Sequence, residues 1–341
     1  MSELEIVEVD PFDPASFDPW WRSYHDAEEA DRGSAATIWQ LEELRAQMQD
    51  SGRRTWMAGW SGVVGGEVVV TGWIGTPMLD NLDRANLAVT TLAGHRRRGY
   101  ATAMLAKVEQ VARDKGRTVL GGETYWPYAA GPDGDGAPGR EFARAHGYTL
   151  ALGDVQRRLA LPVAEELLAE VAAEAAGHHP AYTLRSWVGP VPEELVGEIA
   201  EMDAALMTEA PTGELTIEPQ AADVAALRED EQLLARQGRT KYSTVALDAA
   251  GRAAAYTDLV TTIHEPDRAY QWGTLVLRAH RGHRLGLAVK IANLQLLQRE
   301  RPDLRQVTTF NAEVNAHMIG VNERLGFTPI SRLGEFQKKL A

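Results

Sequence analysis

Hydrophobic and polar positions along this chain change period in a regular order, and that order occurs twice. Residues 4–10, LEIVEVD, read as a strand, and the following stretch with Trp20, Trp21, Tyr24, Trp39, Leu41, Leu44 and Met48 reads as helical. Three β-rich runs come next, at 55–60, 67–74 and 86–92, and Gly65-Gly66 between the first two suits a tight hairpin turn. Over 101–115 the apolar residues Met104, Leu105, Val108, Val111 and Ala112 share one helical face, with Gly116 where a helix C-cap belongs. A strand at 117–124, a Gly/Pro/Asp-rich loop at 127–139, a short helix ending at Gly147 and a β-like run at 148–161 complete the first half.

An Ala/Glu/Leu-rich helix is predicted at 163–176, broken by Gly177-His178-His179-Pro180. The second half repeats the plan. It has a strand at 182–187, helices near 192–207 and 221–237, and strands at 242–247, 253–261 and 269–277. A helix at 285–299, a strand at 306–310, a helix at 315–325 and a last strand near 329–335 follow. Two landmarks carry the repeat. His95-Arg96-Arg97-Arg98-Gly99-Tyr100-Ala101 aligns with His280-Arg281-Gly282-His283-Arg284-Leu285-Gly286, 185 residues on. Phe142-Ala143-Arg144-Ala145-His146-Gly147-Tyr148 aligns with Val321-Asn322-Glu323-Arg324-Leu325-Gly326-Phe327, 179 residues on. The same order at nearly the same offset predicts two duplicated domains, 1–162 and 181–341, joined by a helical linker at 163–180; 341 residues exceed what one core usually spans.

Composition then excludes several function classes. Apolar residues at 44% and charged residues at 24% are ordinary for a globular chain, and no run approaches the ~20 apolar residues of a membrane span. The opening MSELEIVEVD is acidic and lacks a basic-then-apolar leader, so the expected location is cytoplasmic. The absence of cysteine removes disulfides, thiolate metal sites and a cysteine nucleophile. No metal site is expected either: His178 and His179 lack a third ligand nearby, and His264-Glu265 lacks the second histidine of a zinc helix. A formal net charge of -13 argues against nucleic-acid binding; it suits plain solubility or a cationic acceptor such as an amine.

The chemistry concentrates in the first landmark. A strand, a basic glycine-containing turn and a helix start place unpaired backbone N–H groups, the positive end of a helix dipole and arginine side chains around one point. Glycine or alanine in the turn allows close approach of a phosphate, and a diphosphate is the natural guest.

Arg96-Arg97-Arg98-Gly99-Tyr100-Ala101 resembles the Q/R-x-x-G-x-G/A turn of the GNAT acyltransferase superfamily. The resemblance implies an α/β (α+β) chain of two tandem domains, each a mixed, mostly antiparallel sheet flanked by helices, similar in layout to mycothiol synthase-like proteins. It implies acetyl-CoA as the coenzyme. The turn from Arg96 to Thr102 would hold its pyrophosphate, and the strand end Val89-Thr90-Thr91 would pair with its pantetheine arm. In the second copy Thr274, Leu275 and Val276 take the strand role and Arg281, Gly282, His283, Arg284, Leu285 and Gly286 the turn role, with Arg284 where the first glycine is expected. Asn311 and Asn315 resemble a later segment that contacts the coenzyme arm.

Family chemistry is direct attack of an amine on the thioester, with a carboxylate base and often a tyrosine acid. The tyrosine's positions are held by Ala143 and Asn322, so neither half keeps it. Candidate bases are Glu123, Asp258 and Glu313, with Tyr125 an alternative acid. Each of these also has a structural reading, as an exposed or packed side chain. Trp20, Trp21, Tyr24 and Trp39 suit either an acceptor pocket or core packing. The expected activity is N-acetylation of a small-molecule amine, as monomer or homodimer; a decayed coenzyme-binding scaffold and a protein N-acetyltransferase are the alternatives.

Overall fold

The computed structural model describes residues 3–50 and 52–340; Met1, Ser2, Ser51 and Ala341, which the expected domain limits include, lie outside the described residues. The elements are β1 (Glu5–Glu8), α1 (Pro14–Arg32), α2 (Leu41–Gln49), β2 (Thr55–Val64), β3 (Glu67–Pro77), β4 (Arg84–Thr91), α3 (Tyr100–Asp114), β5 (Val119–Pro127), α4 (Pro138–Ala145) and β6 (Thr149–Ala160). They continue with α5 (Glu165–Ala176), β7 (Thr183–Val188), α6 (Val196–Glu209), α7 (Val224–Arg236), β8 (Arg239–Leu247), β9 (Ala253–Thr262), β10 (Arg268–Val276), α8 (Leu285–Glu300), β11 (Gln306–Ala312), α9 (Ala316–Leu325) and β12 (Thr328–Lys339).

The chain divides into two compact units: Met1–Tyr125, Asp135–Ala151 and Gly334–Ala341 form the first, Trp126–Gly134 and Leu152–Leu333 the second. This partition differs from a simple division in chain order. The last residues return to the first unit, where the Leu340 amide donates to the Thr118 carbonyl at 2.8 Å, and α5 lies within the second unit.

In the first unit β1, β2, β3 and β4 pair antiparallel and β4 pairs β5 in parallel. Gly65 and Gly66 have φ of 62° and 87°, so the β2–β3 hairpin closes through the pair of left-handed residues that its strand twist favours. α1 opens on Asp13, whose carboxylate accepts from the Ala15 amide at 2.9 Å, followed by Pro14 at the helix start. Phe17 and Trp20 of α1 are fully buried with Leu44 and Met48 of α2. Core packing therefore accounts for Trp20, whereas Trp39, 39% exposed, remains at the surface. On α3 the expected face is inward: Met104, Leu105, Val108 and Ala112 are buried.

The second unit repeats this sheet. β7, β8, β9 and β10 pair antiparallel, β10 pairs β11 in parallel, and β11 pairs β6 antiparallel. Helix α8 is buried without a break from Leu285 to Ile291, because α5 packs Leu168, Val171 and Ala175 over the side turned away from the sheet.

That burial engulfs Lys290, which is 2% exposed with its ammonium 5.7 Å from the Phe327 ring centre. Desolvation alone pushes its pKa down to about 7 from the ordinary 10.5. Between those values the unfolded chain holds a proton that the folded chain does not. The penalty is therefore complete below about pH 7 and is relieved as pH rises toward 10.5. Lys290→Met keeps the stem and removes the charge. It is expected to raise the unfolding free energy at pH 7 by about 3 kcal/mol, with the difference shrinking at high pH. Urea denaturation at the two pH values measures both parts; an equal gain at each would show that packing, not charge, is responsible.

Candidate functional site

In the first unit the chain leaves β4 and reaches α3 through residues 92–99. Arg97 (φ 61°) and Gly99 (φ 85°) take left-handed backbone conformations. Gly99 caps α3 without a side chain, no acidic residue stands in the first turn, and Arg97, Arg98 and Gly99 are exposed. A Cβ at Gly99 would meet nothing within 4 Å. The helix start thus presents its N–H groups and its dipole beside two exposed arginines, of which Arg98 donates to the Gly94 carbonyl at 3.1 Å, an arrangement that can hold an anion. Arg96 has another task. Its guanidinium donates to the Thr91 carbonyl at 3.1 Å and to Asp31 at 2.6 Å, stapling the turn to the end of β4 and to α1.

The second unit builds the same turn from a different residue order. Gly282 (φ 88°) and Arg284 (φ 52°) hold the two left-handed positions that Arg97 and Gly99 hold in the first. Arg281 repeats the staple of Arg96, donating to the Val276 carbonyl at 3.3 Å and to Glu209 at 2.8 Å. Here, however, the mouth is covered. Leu285 and Gly286 are buried, and Arg284 is ion-paired to Glu174 of α5, which also receives Arg324 of α9. His283 Nδ1 donates to the His178 carbonyl at 3.2 Å, and the Tyr182 hydroxyl bonds His280 at 3.0 Å. The residues expected at this turn do come together, with their cations engaged by the chain's own carboxylates.

Each turn follows a fork between two parallel strands. β4 pairs β5 only over 84–86 against 119–121, and β10 pairs β11 only over 268–270 against 306–308. Beyond the first fork β4 remains hydrogen-bonded to β3 and no longer pairs β5, so its opposite edge along Val89–Thr91, apart from the Thr91 carbonyl that Arg96 holds, is open to pair with an extended ligand. Gly122 makes the first fork tight: a Cβ there would lie 3.1 Å from the Leu87 carbonyl oxygen. In the second unit Thr274, Leu275 and Val276 follow a bulge after Gln271; the Thr274 hydroxyl bonds Thr257 at 2.7 Å and Leu275 enters the core.

Past the first fork β5 carries Glu123 and Tyr125, two residues apart and so on one face of the strand. Tyr24, Glu28 and Arg32, four apart on α1, form one helical stripe. The fold brings the two rows together. The Tyr125 hydroxyl donates to Glu123 at 3.3 Å, and the Arg32 guanidinium lies 3.4 Å from the Tyr125 ring centre. Arg32 also holds Glu28 at 3.1 Å and donates to the Ala35 carbonyl and the Thr37 hydroxyl, each at 3.2 Å. Glu123 is exposed at the surface, and the protein atoms around it still desolvate its carboxylate. Desolvation pushes its pKa up, with Glu28 adding to the rise and the Tyr125 hydrogen bond and Arg32 offsetting part of it. Burial raises the phenols of Tyr24 and Tyr125 well above their usual range. An accessible carboxylate of raised pKa beside a phenol can act as a general base.

The corresponding strand positions of the second unit, two and four residues past its fork, are Phe310 and Ala312, which can move no proton. Asp258 is 6% exposed in β9, accepts from Ser243 at 2.6 Å and lies 3.6 Å from the Lys241 ammonium. Burial raises its pKa and Lys241 offsets part of the rise. It is one member of a buried network, since β9 is buried along its whole length. Glu313 is held by Arg332 at 3.0 Å. Asn315 caps α9, its side-chain oxygen accepting from the Met318 amide at 3.2 Å, and Asn311 accepts from the fully buried Asn322 at 2.5 Å.

Sequence reasoning did not single out Glu28, Arg32 or His146. The first two carry a signal in their four-residue spacing with Tyr24. His146 carries none: its Nδ1 donates to the Phe142 carbonyl at 2.8 Å, leaving Nε2 to accept from Thr102 at 3.2 Å, in the first turn of α3 but 44 residues away in sequence.

Comparison with known proteins bears on the family and the fold. Residues 17–124 match the family model described as Acetyltransferase (GNAT) family. No curated protein matches the chain. Among solved structures, the chain is similar to a tandem GNAT protein from the clavulanic acid biosynthesis pathway, at 29% identity and a TM-score of 0.79, over 99% of this chain and 98% of that one. A GCN5-related N-acetyltransferase from Sphaerobacter thermophilus shares the fold at 14% identity and a TM-score of 0.66, over 98% and 95% of the two chains. A putative acetyltransferase from Pyrococcus horikoshii does so at 11% identity and a TM-score of 0.55, over 99% and 90%. Residues 17–124 thus form a domain of the GNAT acetyltransferase family, within a chain that has the tandem GNAT architecture from end to end.

Proposed function

We propose that this protein is an acetyl-CoA-dependent N-acetyltransferase acting on an amine of a small molecule, and that its first unit carries the reaction. The supporting observation is the juxtaposition of an open anion-binding turn, a free strand edge and the Glu123–Tyr125 pair around one fork. The residues present fit the coenzyme. Arg97, Arg98 and the N–H groups of 99–102 suit a diphosphate, and the edge of Val89, Thr90 and Thr91 suits the amides of a pantetheine arm. Bound there, acetyl-CoA supplies an activated acetyl thioester.

Glu123 accepts the proton of the incoming ammonium, directly or through water, which frees the amine for attack. Tyr125, whose proton burial holds firmly, offers a hydrogen bond instead of a proton; a thiol leaving group, which ionises near pH 8.5, needs no stronger acid. Orientation of the two reactants against the forked strands supplies much of the rate. The second unit acts as a partner in architecture: its turn is engaged internally and its strand lacks the base. A surface ion pair of this kind contributes only about 0–1 kcal/mol, so it is the burial of Leu285 and Gly286 that closes this turn.

Calorimetric titration is expected to show one acetyl-CoA per chain, and a thiol-release assay to show consumption dependent on an added small amine. Absence of binding heat together with amine-independent thiol release would end this reading.

A further inference from the structure

We propose that Arg32 is the positioning residue of the first unit's site: it sets the orientation of Tyr125 against Glu123 and supplies the positive charge that balances the two carboxylates there. The inference rests on Glu123 as the base.

Three observations carry it. Arg32 is held from several directions, by Glu28, by the Ala35 carbonyl and by the Thr37 hydroxyl, so its guanidinium has little freedom. From that fixed place it lies flat enough on Tyr125 to come within 3.4 Å of the ring centre, which leaves the phenol a narrow set of orientations. Its Nε is buried without a hydrogen-bond partner among the described residues, so the guanidinium is held through its two terminal nitrogens.

The charges are few and can be named. Glu123 is faced by Tyr24, Glu28 and Arg32 from α1 and by Tyr125 on its own strand. β4, across the fork, has no titratable side chain from Ala85 to Thr91. Arg32 is therefore the one cation acting on Glu123 among these groups, and Glu28 the one other carboxylate. Loss of Arg32 withdraws a stabilising charge from the Glu123 carboxylate and leaves Glu28 uncompensated. Both changes favour the protonated form of Glu123.

The test is the pH dependence of kcat/KM for thiol release, in wild type, Arg32→Met, Arg32→Lys and Glu28→Gln. Arg32→Met is expected to lower kcat about tenfold, to leave the KM for acetyl-CoA unchanged and to move the acid limb alkaline by about one pH unit. Arg32→Lys restores the position of the limb, through its charge, but only part of kcat, because an ammonium does not stack as a planar fork does. Glu28→Gln moves the limb the other way, toward acid. Opposite displacements cannot arise from general loosening of the fold. If Arg32→Met fails to fold, Glu28→Gln and Arg32→Lys still decide the matter. A limb that stays in place in all three variants, while Glu123→Gln is inactive, overturns the role of Arg32 alone. Full activity of Glu123→Gln overturns instead the assignment of the base.

Discussion

Glu123→Gln is expected to lower kcat by about 10²–10³-fold while leaving acetyl-CoA affinity unchanged. Glutamine keeps the shape of the side chain and can still accept from Tyr125, which lies 3.3 Å away, so the site is preserved and only the capacity to take a proton is lost. None of the groups assigned to the coenzyme is touched. The same residue sets the sign of the pH response. Desolvation by the protein atoms around it places the pKa of Glu123 above the ordinary carboxylate value of 4.5. Wild-type activity therefore falls as pH drops through that raised value, and the variant's residual activity lacks this limb. The measurement is kcat/KM against pH with an acceptor whose own amine titrates well above the range. A kcat within about threefold of wild type would place the base elsewhere.

Gly99→Trp is expected to weaken acetyl-CoA binding by about 100-fold or more, with the fold intact. The glycine has φ 85°, where any other residue carries a strain of about 1–2 kcal/mol. The second unit shows that the conformation tolerates a long side chain, since Arg284 holds the equivalent place at φ 52°. The space in front of Gly99 is open, so the indole has room and falls where a phosphate would meet the first N–H groups of α3. Arg284→Trp is the internal control: if the first unit alone takes the coenzyme, it leaves affinity within about twofold of wild type. Titration of both variants separates the two turns, and a reversed outcome would move the coenzyme to the second unit.

The architecture was legible because it is written in local periods. The helical face of 101–115, the Gly65-Gly66 hairpin and the duplicated Arg-rich turns depend on residues close together in sequence, and all appear in the structure near their expected limits. The division into units did not follow chain order, because the ends of strands are assigned by pairing with distant partners, as the return of residues 334–341 to the first unit illustrates.

What the order of residues determined by itself is the element sequence, the repeat and the identity of the turn, since each rests on backbone preferences and side-chain periods within a few residues. What only the tertiary structure decided is which groups meet. Arg97 and Arg98 are indistinguishable from Arg96 by pattern, yet Arg96 is tied to Asp31 of α1. Glu123 and Asp258 are similar as strand carboxylates, but one is exposed and the other lies in a covered strand. Arg32 meets Tyr125 only because α1 is laid beside the fork. Ionisation and reach depend on burial and on neighbours far along the chain, and neither quantity is a property of local sequence.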